Sequence, residues 1–303
     1  MKETVLKVDN ITKNFGKLVA VNNLSFNVHQ GEVVGLVGQN GAGKSTTFKM
    51  ILNFIKPDSG NIKFTFGQQP EKVLNQIGYL PEERGLYMDM TVKDQILYMA
   101  NLHDYRPTKI KQELAQWLKV LDVKGNEKTL IKNLSKGNQQ KIQLITALIH
   151  HPKLVILDEP FSGLDPVNIE LLIQVVKQLK QNGTAIIFSS QNMRNVSEVS
   201  DTILMLVNGK RKLYSSIDQI KSSFPKNKIY LEGIAEQKFS NLTGVVKVED
   251  DYPGKLITFD CEKNAKLAID KVKNSTYLKG YRLLPPTLDD IFRSIIREEK
   301  NNA

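Results

Sequence analysis

The chain has few cysteines, no long apolar run and no dense patch of one charge, and each shortage removes a class of protein. Its 303 residues hold one cysteine, Cys261, so no disulfide forms within the chain and a reducing compartment is expected. No stretch approaches the roughly 18 consecutive apolar residues that a membrane-crossing helix needs. The opening MKETVLKVDN has no apolar secretory region either, so the chain is expected to be soluble. The formal charge of +10 is spread out: residues 1–220 hold 27 Lys and Arg against 20 Asp and Glu, and residues 221–303 hold 15 against 12. Without a basic tract, nucleic-acid binding is not expected. With 41% hydrophobic and 24% charged residues, the chain reads as globular, and its length suits two domains better than one.

The strongest motif is GQNGAGKST, which fits GxxxxGK[ST] at every fixed position. It follows EVVGLV, a short apolar run that predicts a buried parallel strand. It precedes TTFKMILNFI, in which Phe48, Ile51, Leu52 and Ile55 fall at helical spacing. Strand, loop and helix in that order make a phosphate cradle. Glycines let the backbone turn its N–H groups inward, and the helix N-terminus adds positive potential. Gly38, Asn40, Gly41, Ala42, Gly43, Lys44, Ser45 and Thr46 are therefore the candidate nucleotide-phosphate-binding residues. Lys44 is expected to reach the β- and γ-phosphates, and Ser45 to hold Mg²⁺. Further on, LVILDEP predicts a second buried strand that ends in Asp158 and Glu159. Ligands of open α/β sheets collect at the carboxyl ends of strands, so this acidic pair points toward the same crevice. Asp158 is the candidate metal-side carboxylate, and Glu159 the candidate for polarising the attacking water.

Between these motifs stands LSKGNQQK, followed by QLITALIHHPKL. Here the chain resembles the ATP-binding subunit of an ABC transporter, since LSKGN sits where that family carries its LSGGQ signature. Phe15 matches the aromatic position that stacks on adenine, GYLPEERGLY the Q-loop, SGLDP the D-loop and FSSQNM the H-loop. The resemblance covers roughly residues 4–215, and the spellings are closest to the sodium-extrusion and ABC-2 exporter type. It implies an α/β P-loop NTPase core over residues 1–220, with a helical subdomain at about 90–150. It also implies a head-to-tail dimer with a second copy or a paralogue, in which Ser135, Lys136, Gly137, Asn138 and Asp165 meet the partner's nucleotide. Glu82, where the family usually has glutamine, is a further candidate ligand for Mg²⁺. The remaining implied partner is an integral-membrane permease, with the chain peripheral on the cytoplasmic face of the membrane.

Two departures bear on rate. LSKGN has Lys136 for the second glycine and Asn138 for the terminal glutamine. Gln191 stands where the family has a histidine that contacts the γ-phosphate and the attacking water. A neutral carboxamide cannot become cationic or relay a proton, so ordinary ATP binding with slowed turnover is expected of Gln191. Three functions stay open: an ATP-hydrolysing exporter subunit, an ATP-dependent dimerisation switch with little hydrolysis, and an ABC protein acting on ribosomes or DNA.

TVKDQILYMANL and PTKIKQELAQWLKVLDV predict two helices, the first with Thr91 and Asp94 in a capping arrangement. In the family this region receives the permease beside the Q-loop. Tyr87, Met88 and Met90 are candidates to line that groove or are ordinary packing. Over residues 221–303 the runs KIYLEGI, VVKVEDD, KLITFDC and GYRLL predict strands, and NAKLAIDKVKNS and PPTLDDIFRSIIREEK predict helices. A small α+β accessory domain is expected, with PTLDDIF similar to the endings of many bacterial exporter subunits.

Overall fold

A computed structural model describes residues 2–67, 70–83, 85–233, 242–274 and 277–301. Arg84, Ile234 and Ser275, which end or interrupt three of the runs above, lie outside the described residues. The chain divides into two compact units, Met1–Ser215 and Ser216–Ala303.

The first unit opens with two long strands that no single motif announces, β1 (Thr4–Phe15) and β2 (Leu18–His29). They pair antiparallel around the Gly16 turn, where φ is 59° and a side chain would be strained. β3 (Val33–Val37) follows and ends in the phosphate loop and α1 (Lys44–Ile51). α1 stops at Ile51, earlier than the apolar spacing predicts, because Asn53 takes a left-handed φ of 58°. Ile55 therefore packs against the core from outside the helix. β4 (Ser59–Phe64) joins β1 in a three-stranded sheet of order β2-β1-β4, and α2 (Pro70–Leu74) and β5 (Ile77–Leu80) come next.

Two helices, α3 (Val92–Leu102) and α4 (Pro107–Val120), occupy the region between the Q-loop and the signature. The Thr91 side chain accepts from the Asp94 amide, as the capping pattern predicts. α4 buries Ile110 and Leu114, and Leu121 is buried just beyond its end. α5 (Lys136–Leu148) leads to β6 (Leu154–Leu157), α6 (Pro166–Gln181), β7 (Ala185–Ser190), α7 (Met193–Val199), β8 (Thr202–Val207) and β9 (Lys210–Ser216).

The second sheet has the order β5-β6-β7-β3-β8-β9, and β5, β6, β7, β3 and β8 pair in parallel. Every residue of β3, β6 and β7 is buried. Such continuous apolar runs are what a parallel sheet covered on both faces requires. This order sets β6, β7 and β3 side by side, with Leu157 opposite Phe188 and Val37 opposite Ser190. The chain leaves these neighbouring carboxyl ends as Asp158, Gln191 and Gly38, so one edge of the sheet gathers residues more than 150 positions apart. Between the sheets, fully buried Phe48 anchors α1; truncating such a core aromatic to alanine costs about 3–5 kcal/mol.

The second unit begins with α8 (Ile217–Ser223), capped by Ser216 and Gln219 in a reciprocal box. β10 (Lys228–Glu232), β11 (Val245–Asp251), β12 (Gly254–Phe259) and β13 (Gly280–Leu284) form an antiparallel sheet of order β11-β12-β10-β13. α9 (Glu262–Val272) lays Ala265, Ala268 and Val272 on Ile229, Leu231, Ile257 and Phe259. α10 (Leu288–Asn301) starts at Thr287, whose hydroxyl accepts from the Asp290 amide. Lys228, buried at 8% side-chain exposure, pairs with Asp290 at 2.7 Å.

Candidate functional site

The phosphate loop takes its shape from its glycines. Gly43 caps α1 with φ at 100°, and a Cβ there would lie 2.5 Å from Ala20 O. A Cβ on Gly38 would lie 2.6 Å from Leu206 O, so the loop can pass between β2 and β8 only without side chains at these points. Around the loop opens a cavity of about 240 Å³ lined by Phe15, Asn40, Gly41 to Thr46, Glu82, Asp158, Glu159 and Gln191. All twelve of these are residues the sequence singles out, and Leu18 and Ala20 complete the lining. Gly38 sits at the root of the loop, buried.

Lys44 is 7% exposed and folds back over its own loop, its Nζ donating to Gly38 O at 2.8 Å. Its ammonium stands 3.9 Å from Glu159 Oε1. Glu159 has a φ of 48°, a left-handed conformation that costs a non-glycine residue about 1–2 kcal/mol. Such strain is characteristic of functional turns. Burial raises the Glu159 carboxyl above the usual carboxylate range, with Lys44 and Gln191 opposing. Gln191 Nε2 donates to Asn40 Oδ1 at 2.9 Å and reaches Glu159 Oε1 at 3.5 Å. Phe15 is half exposed at the cavity rim with Lys13 Nζ 5.8 Å from its ring, so it is no core phenylalanine.

Ser45, Glu82 and Asp158, each with side-chain oxygen, all line this cavity. Burial first, then the Asp158 and Glu82 charges, push the nearby Tyr79 hydroxyl up to about 12. Hard oxygen donors in a field of negative charge fit Mg²⁺.

The signature residues do not line this cavity. Ser135 caps α5 and accepts from the Asn138 amide at 3.3 Å, and Asn138 Nδ2 also donates to Ser135 Oγ at 2.9 Å. Asn138 Oδ1 accepts from the Lys124 amide at 2.9 Å, so this side chain is engaged within its own chain. Ser135 and Lys136 are exposed. Asp165 caps α6 through Asn168, and a Cβ on Gly137 would come within 3.9 Å of Asn168 Nδ2, so the two helix starts lie together.

The family described as ABC transporter matches residues 21–162, and the family described as ATP-binding protein DrrA1-3-like, C-terminal domain, matches residues 216–296. The ABC transporter ATP-binding protein YhaQ of Bacillus subtilis (strain 168) is 38% identical over 289 residues, covering 95% of this chain and 97% of its own. The chain belongs to the ABC transporter ATP-binding proteins.

A relative from Alkalihalophilus pseudofirmus is 42% identical, covering 85% of this chain and 97% of its own. The bacitracin transport ATP-binding protein BcrA of Bacillus licheniformis is 32% identical, covering 76% and 74%. A solved ATP-binding subunit of an ABC transporter superposes with a TM-score of 0.68 at 29% identity, over 72% of this chain and 92% of that one. Proteins of this family are ATPases coupled to transport, and among the described residues of this ABC subunit no helix is long and apolar enough to cross a membrane.

Two features of the subunit escaped sequence reasoning. Ser189, fully buried on β7, binds both Asp158 and Glu159; the only hint is a pair of polar residues ending an apolar run. Beside the Q-loop, a cavity of about 270 Å³ is lined by Phe54, Tyr79, Pro81, Met99 and His103 among others, and Tyr87, Met88 and Met90 do not line it. Tyr87 instead packs edge-on against Tyr98.

Proposed function

We propose that the chain is the ATP-hydrolysing motor subunit of an exporter, with turnover slowed at Gln191. The observation that carries this reading is the single cavity that brings Phe15, the phosphate loop, Glu82, Asp158, Glu159 and Gln191 together. Adenine stacks on Phe15, whose ring is half exposed at the rim. The phosphates lie over Gly41 to Thr46, where the amides at the start of α1 and Lys44 face them. Ser45, Asp158 and Glu82 would hold Mg²⁺, which supplies positive charge to the phosphate oxygens when bound. Glu159, kept at 3.9 Å from Lys44, orients and polarises the attacking water.

Ser135 keeps a hydroxyl hydrogen to donate outward, since both of its bonds from Asn138 use oxygen lone pairs. An exposed donor at a helix start, away from the chain's own cavity, supports a head-to-tail dimer in which it meets the partner's γ-phosphate. The 270 Å³ cavity beside the Q-loop, with Phe54 63% exposed, supports docking of a membrane permease and a peripheral position at the membrane. The relative BcrA is named for bacitracin transport, which supports a transport role, while the cargo itself is chosen by the permease.

The test joins binding to assembly. A fluorescent ATP analogue should bind the purified chain with Mg²⁺, and Lys44→Ala should abolish that binding. The tagged chain should retain a membrane protein from detergent-solubilised membranes. ATP-dependent pelleting with ribosomes, or binding unaffected by Lys44→Ala, would overturn the reading.

A further inference from the structure

We infer that Ser189 is a positioning residue that makes the end of β7 and the Asp158–Glu159 turn one unit. This rests on the proposed ATPase reading of the cavity. Ser189 lies in the middle of the parallel sheet, fully buried, two residues before Gln191. Its Oγ stands 2.6 Å from Asp158 Oδ1 and 2.7 Å from the Glu159 amide nitrogen. The protons can be assigned without ambiguity. The Glu159 amide can only donate, so the Ser189 hydroxyl hydrogen must go to the Asp158 carboxylate, in a short, charge-assisted bond.

Each bond fixes something that chemistry at the cavity needs. The first holds the Asp158 carboxylate in one orientation, and the Asp158 amide donates to Leu80 O at 2.8 Å to secure its main chain to β5. The second fastens the peptide of Glu159 at the point where the backbone turns left-handed, with φ at 48°. A single hydroxyl thus sets the direction of a metal-side carboxylate and of the water-orienting glutamate, and ties both to the strand that carries Gln191. A group that orients a ligand from behind typically changes metal affinity or activity by about 10- to 100-fold when removed.

Ser190 provides the control. It is equally part of β7 and buried at 2% exposure, but its hydroxyl accepts from the Asn192 amide at 3.1 Å rather than binding either carboxylate. The experiment compares the full chain with Ser189→Ala and Ser190→Ala, titrating a fluorescent ATP analogue in EDTA and then across Mg²⁺ concentrations, with steady-state phosphate release measured in parallel. For Ser189→Ala, binding in EDTA should stay at the parent level. The Mg²⁺ concentration at half-effect should rise, and kcat should fall, by about 10- to 100-fold, with KM little changed. Ser190→Ala should follow the parent throughout. The inference is overturned if Ser189→Ala keeps the parent's Mg²⁺ dependence and kcat. It is also overturned if that variant loses affinity equally with and without Mg²⁺, or if both serine variants lose function alike, since each outcome marks a structural role only. If the parent itself shows no Mg²⁺-dependent binding, the ATPase reading fails instead.

Discussion

Replacing Gln191 by histidine should speed ATP hydrolysis while leaving ATP binding nearly unchanged. In this structure the one well-formed donor bond of the Gln191 side chain is spent on Asn40 Oδ1 at 2.9 Å, and the approach to Glu159 Oε1 at 3.5 Å is at the limit of a hydrogen bond. The amide therefore leans on the phosphate loop, with its donor engaged by Asn40 rather than by charge developing on the γ-phosphate. A histidine can carry positive charge as the γ-phosphate charge shifts, and one preorganised contact of that kind is worth about 10²- to 10³-fold, roughly 3–4 kcal/mol. ATP affinity is set mainly by Lys44 and the loop amides, which the substitution leaves in place, so it should move by no more than about threefold. Steady-state phosphate release at saturating ATP, beside equilibrium binding of a fluorescent analogue, separates the two quantities. Equal kcat for Gln191→His and the parent chain would refute the reasoning.

Other outcomes follow from the same geometry. Phe15→Ala should weaken ATP affinity by about 3- to 10-fold with kcat held, and Phe15→Tyr should restore it, as read by nucleotide titration. The rings of His103 and His150 stack 3.9 Å apart, and burial first, then the neighbouring His103, takes His150 down to about 3. The unfolded chain binds its proton near pH 6.5, so the folded state loses stability as pH falls below that value. His150 alone should remove about 2 kcal/mol between about pH 7 and pH 5, a slope that His150→Phe flattens in denaturant titrations. In the second unit, Asp290→Asn leaves the buried Lys228 ammonium without its carboxylate. With Asp290 37% exposed, water screens part of the loss, and calorimetry of the full chain should register about 1–3 kcal/mol of destabilisation.

The sequence by itself determined the chemistry of the cavity and the local elements that carry it. GQNGAGKST dictates a loop because glycine alone tolerates Gly43 at φ 100°, and wholly apolar runs such as VVGLV and LVIL leave few alternatives to buried parallel strands. Thr91 announces its helix because a cap is a bond between near neighbours. Long-range arrangement was legible only through the family pattern. The strands β1 and β2 have no clean alternation, since their pairing shifts register at several points, and their sheet appears only on folding. α1 ends before Ile55 because the left-handed Asn53 outweighs the apolar spacing. Only the tertiary structure decided that β7 lies between β6 and β3. That order brings Gln191 against Asn40, 151 residues away, and sets Ser189 under Asp158, because hydrogen bonds between strands act on proximity in space and are invisible to spacing along the chain.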